Sequence, residues 1–266
     1  MGSHMIATEY VSRGHRHIDG WLEPEAAHLI AHFGQWQQVS GNVGEIGVHH
    51  GKLFILLHLL RRPEERSVAV DLFELQELNV DRSGRGDRAV FEQNLRTFAG
   101  STDGVTIASA DSTTVKSDDL LGMAGGPFRL FSVDGGHTAA ITESDLRIAS
   151  EALVDGGLLI LDDYFNQAWP GVSEGTNRFL SSSPTLVPVG SGHEKMYFTT
   201  SDHAAAYRDQ MVECANAHGW RVTTQPFFDV PHVTVRTRSR RDVLDLNARA
   251  WVKSHPNVRR VLRTVR

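Results

Sequence analysis

Asp134-Gly135-Gly136-His137 and, 28 residues after Asp134, the pair Asp162-Asp163 have the types and spacing to do chemistry together. Each motif closes an apolar run, FRLFSVDGGH and GLLILDDY. Short runs of this kind read as buried parallel strands. Ligands of an open α/β sheet sit beyond the carboxyl ends of its strands. Neighbouring strands lie about 4.8 Å apart, so the two ends would bring three carboxylates and one imidazole to one spot. Crowded carboxylates raise one another's pKa, and a hard cation such as Mg²⁺, with its preference for oxygen ligands, resolves that conflict. The expectation is a metal site with a histidine base beside it.

Such a site needs a sheet to carry it, and the chain alternates accordingly. Segments 44–48, 67–73, 105–111, 128–134 and 157–163 read as five strands. Segments 20–37, 51–62, 88–100, 117–125, 142–154, 172–182 and 203–219 read as helices, the 142–154 helix being closed by Asp155-Gly156-Gly157. LVPVGSG and EKMYFTT read as a terminal antiparallel pair. The stretch 220–238 is strand-like but interrupted by Pro226 and Pro231, so it reads as edge or hairpin material. Segment 74–87 is polar with two glycines and reads as a mobile lid. Strict alternation implies an α/β fold: a Rossmann-like, doubly wound, mainly parallel sheet with a terminal antiparallel pair and helices on both faces. The expected domains are a tag remnant at 1–4, a helical cap at 5–40, the main domain at 41–200 and an extension with a basic tail at 201–266. No internal repeat or low-complexity tract stands out.

The first strand ends in Glu45-Ile46-Gly47-Val48-His49-His50-Gly51, a carboxylate followed by two glycines four apart. Glycine there lets backbone approach a ligand closely. The dinucleotide-binding G-x-G-x-x-G and the P-loop Gly-Lys-Ser/Thr are both missing. EIGVHHG, followed by Asp71 ending SVAVD and Asp111 ending VTIASAD, resembles the class I S-adenosylmethionine-dependent methyltransferases. That resemblance implies S-adenosylmethionine as cofactor. Glu45, Gly47 and Gly51 would lie at the methionine half, Asp71 at the ribose hydroxyls, and Asp111 with Ser112 at the adenine; Asp134 is also expected on the cofactor. N-caps of the helices that follow are the lesser reading of Asp71 and Asp111, whereas His49 and His50 read as plain loop residues.

VDGGH followed by LDDY, with GWLEP upstream and EIGVHHGK between, resembles the macrocin O-methyltransferase family over residues 18–200. These are metal-dependent enzymes that methylate sugar hydroxyls. The resemblance implies Asp134, Asp162 and Asp163 as Mg²⁺ ligands and His137 as the base; the family pair can be Glu-Asp, and the shorter Asp162 departs from it. The implied function is methyl transfer to a sugar hydroxyl, on a deoxysugar of a natural product or a mannose-type oligosaccharide. Metal coordination would lower the hydroxyl's pKa, and a base three residues from a ligand can take the proton. Catechol-type relatives place a lysine at the histidine position. An aromatic acceptor, with Tyr164, Phe165 and Trp169 forming a flat pocket, is the alternative reading, and a non-catalytic cofactor-binding protein is another. Segments 74–87, 164–176 and 225–240 are the expected acceptor loops.

Composition narrows the remaining classes. With 40% hydrophobic residues in 266, the chain can build one large core. A net charge of −5 argues against a general nucleic-acid binder. Residues 236–266 carry ten Lys or Arg and two Asp, a local +8, which leaves −13 for the rest. That tail reads as a solvated helix face or as contact with an anionic partner. No apolar run reaches the roughly 18 residues of a membrane span. One cysteine, Cys214, excludes an internal disulfide and fits a cytoplasmic location; it reads as a small buried residue. The expected partner is a small sugar-containing acceptor, with no nucleic acid or membrane, in a homo-oligomer.

Overall fold

The computed structural model describes residues 5–182 and 185–239. Residues 1–4, expected as a tag remnant, and the tail beyond residue 239 lie outside the described residues.

Five strands form the parallel half of one sheet: β1 (Asn42–Ile46), β2 (Ser67–Asp71), β3 (Val105–Ser109), β4 (Phe128–Val133) and β5 (Leu153–Leu161). Four more extend it: β6 (Leu186–Gly192), β7 (Lys195–Thr200), β8 (Arg221–Phe227) and β9 (Val230–Arg236). The order is β3-β2-β1-β4-β5-β7-β6-β9-β8. β7 runs antiparallel to β5 and β6, β9 parallel to β6, and β8 antiparallel to β9. The expected terminal pair is therefore internal, and the 220–238 segment closes the sheet as a hairpin. Both hairpin turns have two central residues at positive φ, His193-Glu194 and Phe228-Asp229, the backbone that matches the strand twist in two-residue loops.

Strand residues alternate between two cores. Leu158 and Ile160 of β5 face one, Leu159 and Leu161 the other, as a pleat of period two requires. The first core is completed by α1 (Ala7–Ser12), α2 (Pro24–Trp36), α3 (Lys52–Leu60), α4 (Arg88–Ala99) and α8 (Ala204–Ala217), in which Cys214 is buried. The second is covered by α5 (Ser117–Ala124), α6 (Ala139–Glu151) and α7 (Pro170–Ser182). Helices on both faces of a mainly parallel sheet make this a Rossmann-like doubly wound fold.

The junction between α6 and β5 differs from expectation. α6 ends at Glu151, and Asp155-Gly156-Gly157 lies within β5. Leu153 pairs with Phe128 and Leu158 with Leu130, so β5 carries the extra residues of a bulge, with Gly156 at φ +75°. A glycine run that reads locally as a helix stop is here the kink of a strand.

Candidate functional site

Strand order reverses between β1 and β4, and a cavity of about 560 Å³ opens at their carboxyl ends, where this architecture places ligands. The Asp134 N–H donates to the Ile46 carbonyl (2.8 Å), locking the DGGH turn against the glycine loop. At Gly47 (φ +82°) a Cβ would lie 1.7 Å from the Asp134 carbonyl oxygen, so no other residue fits.

On one side of the cavity is Asp71. Its Oδ2 accepts the His49 N–H (2.7 Å) and its Oδ1 the Phe73 N–H (2.9 Å), so it shapes the loop it shares a wall with. Asp111 and Ser112 also line the cavity. Asp111 takes the capping role foreseen as an alternative, accepting the Thr113 N–H (2.9 Å). Gly51 and Glu45 do not line it: Gly51 packs against Phe91, and Glu45 is buried at 2% exposure. Burial, and then the charge of Asp134, pushes the Glu45 carboxyl well above the usual range.

On the other side Asp134, His137 and Asp163 each offer a donor atom within 4.8 Å of the others, a set that fits a divalent cation. Burial, and then the charge of Asp162, holds the Asp134 carboxyl well above its ordinary value; a bound cation reverses that logic. Asp163 sits at φ +63°, a left-handed backbone that Asp tolerates better than most residues. Burial alone would raise Asp163, but hydrogen bonds from His137 and Asn166 bring it below the usual range.

Asp162 is turned elsewhere. Its Oδ2 is paired with the buried Lys195 ammonium, and its Oδ1 accepts the Asp163 N–H (2.9 Å). The three carboxylates thus do not converge on one point, and the pair-lysine was not foreseen, because a lysine after a tight turn carries no local signal of burial.

The His137 ring stands between two carboxylates, with Nδ1 3.0 Å from Asp81 Oδ2 and Nε2 3.2 Å from Asp163 Oδ2. It stacks on Trp169 at 4.3 Å between ring centres and 16° between planes. Burial lowers the imidazole pKa, but Asp163, Asp134 and Asp81 together outweigh it and hold it above the usual value. Asp81 escaped the sequence reading because it lies in a polar loop without periodicity. Of the aromatic trio, Trp169 lines the cavity; Tyr164 is buried, bonded to Asn177 (2.9 Å), and Phe165 stands 59% exposed.

Residues 45–164 match a protein family described as a methyltransferase domain. The chain carries a methyltransferase domain. The glycine loop and the strand-end acids Asp71, Asp111, Asp134 and Asp163 all lie within the matched residues. Among curated proteins none matches the chain. The chain shares its fold with three solved structures. A candidate O-methyltransferase from Klebsiella pneumoniae is 15% identical, with a TM-score of 0.52 over 75% of this chain and 91% of that one. Rv0187 from MTB, solved with cofactor bound, is 16% identical, with a TM-score of 0.50 over 73% and 89%. The O-methyltransferase from Bacillus cereus, in complex with SAH, is 14% identical, with a TM-score of 0.50 over 73% and 90%. None of the described helices is long and apolar enough to cross a membrane.

Proposed function

We propose that the methyltransferase transfers a methyl group from S-adenosylmethionine to a sugar hydroxyl in a Mg²⁺-dependent reaction. The observation that carries this reading is the shared cavity. The Asp134, His137 and Asp163 cluster opens into the same space as Asp71 and Gly47. Asp71 would hold the ribose hydroxyls, Gly47 would admit the methionine half, and Asp111 with Ser112 would bound the adenine. Gly51 and Glu45 act one step back, Gly51 by setting the loop and Glu45 from within the strand that leads into it. Asp134 and Asp163 would hold the metal, and Asp162 would serve by neutralising Lys195.

The metal, when bound, makes a hydroxyl more acidic, and the cofactor supplies an electrophilic methyl group. The protein's own part is to orient the acceptor, exclude water and take one proton. The hydroxyl oxygen would give its proton to His137 Nε2 as it bonds to the methyl carbon, the carbon–sulfur bond breaking with its electron pair left on the sulfur, which departs as the neutral thioether. An imidazole between two carboxylates suits that role, since both stabilise the cation formed. The aromatic-acceptor reading loses ground because only Trp169 of its three aromatic residues reaches the cavity. The O-methyltransferase names of two of the fold relatives agree with an oxygen acceptor.

The test is a panel of free sugars, nucleotide sugars and catechols, offered with S-adenosylmethionine and Mg²⁺. Methylation of a sugar, abolished by chelator and by His137→Gln, is expected. Transfer to catechols alone, or full activity in chelator, overturns the proposal.

A further inference from the structure

Trp21, between α1 and α2, is 75% exposed, more than any other large apolar residue among the described ones. Its segment is not loose. The Lys52 ammonium donates to the Gly20 carbonyl (2.7 Å) and Leu22 is buried in the first core, so the chain is held on both sides of the indole. The ring meets His49, tilted at 48° with centres 5.8 Å apart. It also lines the cavity that holds the acid cluster. Two further exposed apolar residues, Leu78 (43%) and Val80 (66%), line that cavity from the segment between β2 and α4. The two segments meet at Gly84, where an added Cβ would lie 3.3 Å from His49 Cδ2 and 3.9 Å from Trp21 Cζ3. Apolar surface grouped at the mouth of a cavity marks a place where a ligand is held.

Acceptor groups for hydrogen bonds stand beside the indole. Glu23 lies two residues on, Glu194 comes from the turn between β6 and β7, and both line the same cavity. An ionised carboxylate only accepts hydrogen bonds, so this wall suits a molecule that brings its own hydroxyl donors. An indole face is negative and attracts the positive edges of C–H bonds. A pyranose ring offers both, hydroxyls around its edge and C–H bonds across its face. Trp169 also lines the cavity, but one of its faces is already covered by His137.

We propose that Trp21 is the residue that selects the acceptor: its indole carries the C–H face of the sugar ring, and Leu78 and Val80 bound the ring from the roof segment. The proposal rests on the sugar acceptor inferred above. Trp21 lies outside residues 45–164, the part that matches the methyltransferase domain. Acceptor choice is then carried by the segment that precedes the cofactor loop, and it can vary while the cofactor and acid residues stay as they are.

The first readout needs no turnover. Saturation-transfer NMR is recorded with methyl α-D-mannopyranoside and with methyl α-L-rhamnopyranoside, each added to protein holding S-adenosylhomocysteine and Mg²⁺. Wild type is expected to transfer saturation to the ring C–H protons of at least one glycoside. Trp21→Ala should lose most of that transfer, and Trp21→Phe, which keeps a π face, should retain it. The second readout is kinetic, with the sugar that the acceptor panel identifies. Trp21→Ala should raise the acceptor KM about 10- to 30-fold, with S-adenosylmethionine affinity within about threefold. A residue that merely packs on the His49 loop would move cofactor affinity instead, because the His49 N–H is bonded to Asp71. Trp21→Ala equal to wild type in either readout overturns the assignment, as does a wild type that binds neither glycoside. A fall in solution mass from wild type to Trp21→Ala also overturns it, since the indole then belongs to a contact between two copies of the chain. Should wild type methylate sugars while Trp21→Ala keeps its KM, the Trp21 assignment alone fails. Should wild type methylate no sugar, the sugar reading fails, and the transfer to the two glycosides still decides whether Trp21 holds a sugar ring.

Discussion

Lys195 and Asp162 form an ion pair inside the protein, the lysine 2% and the carboxylate 9% exposed. Lys195 is the first residue of β7 and Asp162 follows the last of β5, strands that pair antiparallel. The lysine thus enters the acidic end of the sheet from the far side, where its charge also faces Asp134 and Glu45, and the carboxylates hold its pKa above the usual range against burial.

Removing one partner of such a pair leaves an uncompensated buried charge, at a cost of about 3 to 5 kcal/mol. Lys195→Met should therefore lower the unfolding free energy by about that amount in urea. Lys195→Met with Asp162→Asn should recover most of the loss. If the double variant is as unstable as the single one, Lys195 stabilises by packing and not by pairing.

Asp71 accepts two backbone N–H groups of the loops that frame the cavity. Its loss should cost roughly 2 to 3 kcal/mol of cofactor binding, hence about 30-fold or more in affinity. Titration calorimetry of Asp71→Ala with S-adenosylmethionine checks this. Equal affinity to wild type removes Asp71 from the cofactor site.

Chelation should stop turnover and Mg²⁺ should restore it. Asp134→Asn and Asp163→Asn should lose metal binding outright, whereas cofactor affinity in both should stay within about threefold, a difference under 1 kcal/mol. Metal binding measured by calorimetry decides; retention of Mg²⁺ by both variants would falsify the site at Asp134 and Asp163.

Two histidines remote from the site should each withdraw stability on mild acidification. Burial, and then Arg61, brings His58 down to about 4, and burial, and then Arg208, does the same for His232. An unfolded histidine titrates near about 6.5. Between these values the unfolded chain binds protons that the folded one does not, so stability is full above about 6.5 and is lost as pH falls toward about 4. Each histidine contributes a slope of up to about 1.4 kcal/mol per pH unit. His58→Gln should reduce the slope by up to about 1.4 kcal/mol per pH unit in chemical denaturation between pH 6.5 and 5. An unaltered slope would show that His58 is not the group responsible.

The parts of the site legible in the sequence are those that end strands. Asp71, Asp111, Asp134 and Asp163 each follow a short apolar run, and the topology brings those ends to one edge. Asp81 and Lys195 follow no such rule: the polar loop around Asp81 looks like any solvated connection, and the burial of Lys195 depends on which strand β7 pairs with. The extra turn of helix expected up to residue 154 has the same origin. Leu153 is drawn into β5 by Phe128, 25 positions away in the chain, and local glycine signals cannot report a partner at that distance. Asp162 was placed with its neighbour because adjacent acids look equivalent in sequence, whereas consecutive residues at a strand end point to opposite sides.

The missing side chain at Gly47 has a consequence for how this protein can change. The atom a larger residue would strike is the backbone carbonyl of Asp134, which has no rotamer to escape into. A substitution at Gly47 must therefore move the turn that carries Asp134 and His137. Mutations that retune recognition at the glycine loop will be inseparable there from mutations that retune the acid cluster. A variant library at this joint should yield no protein altered in one affinity alone, and selection for a new methyl donor would have to begin at positions away from it.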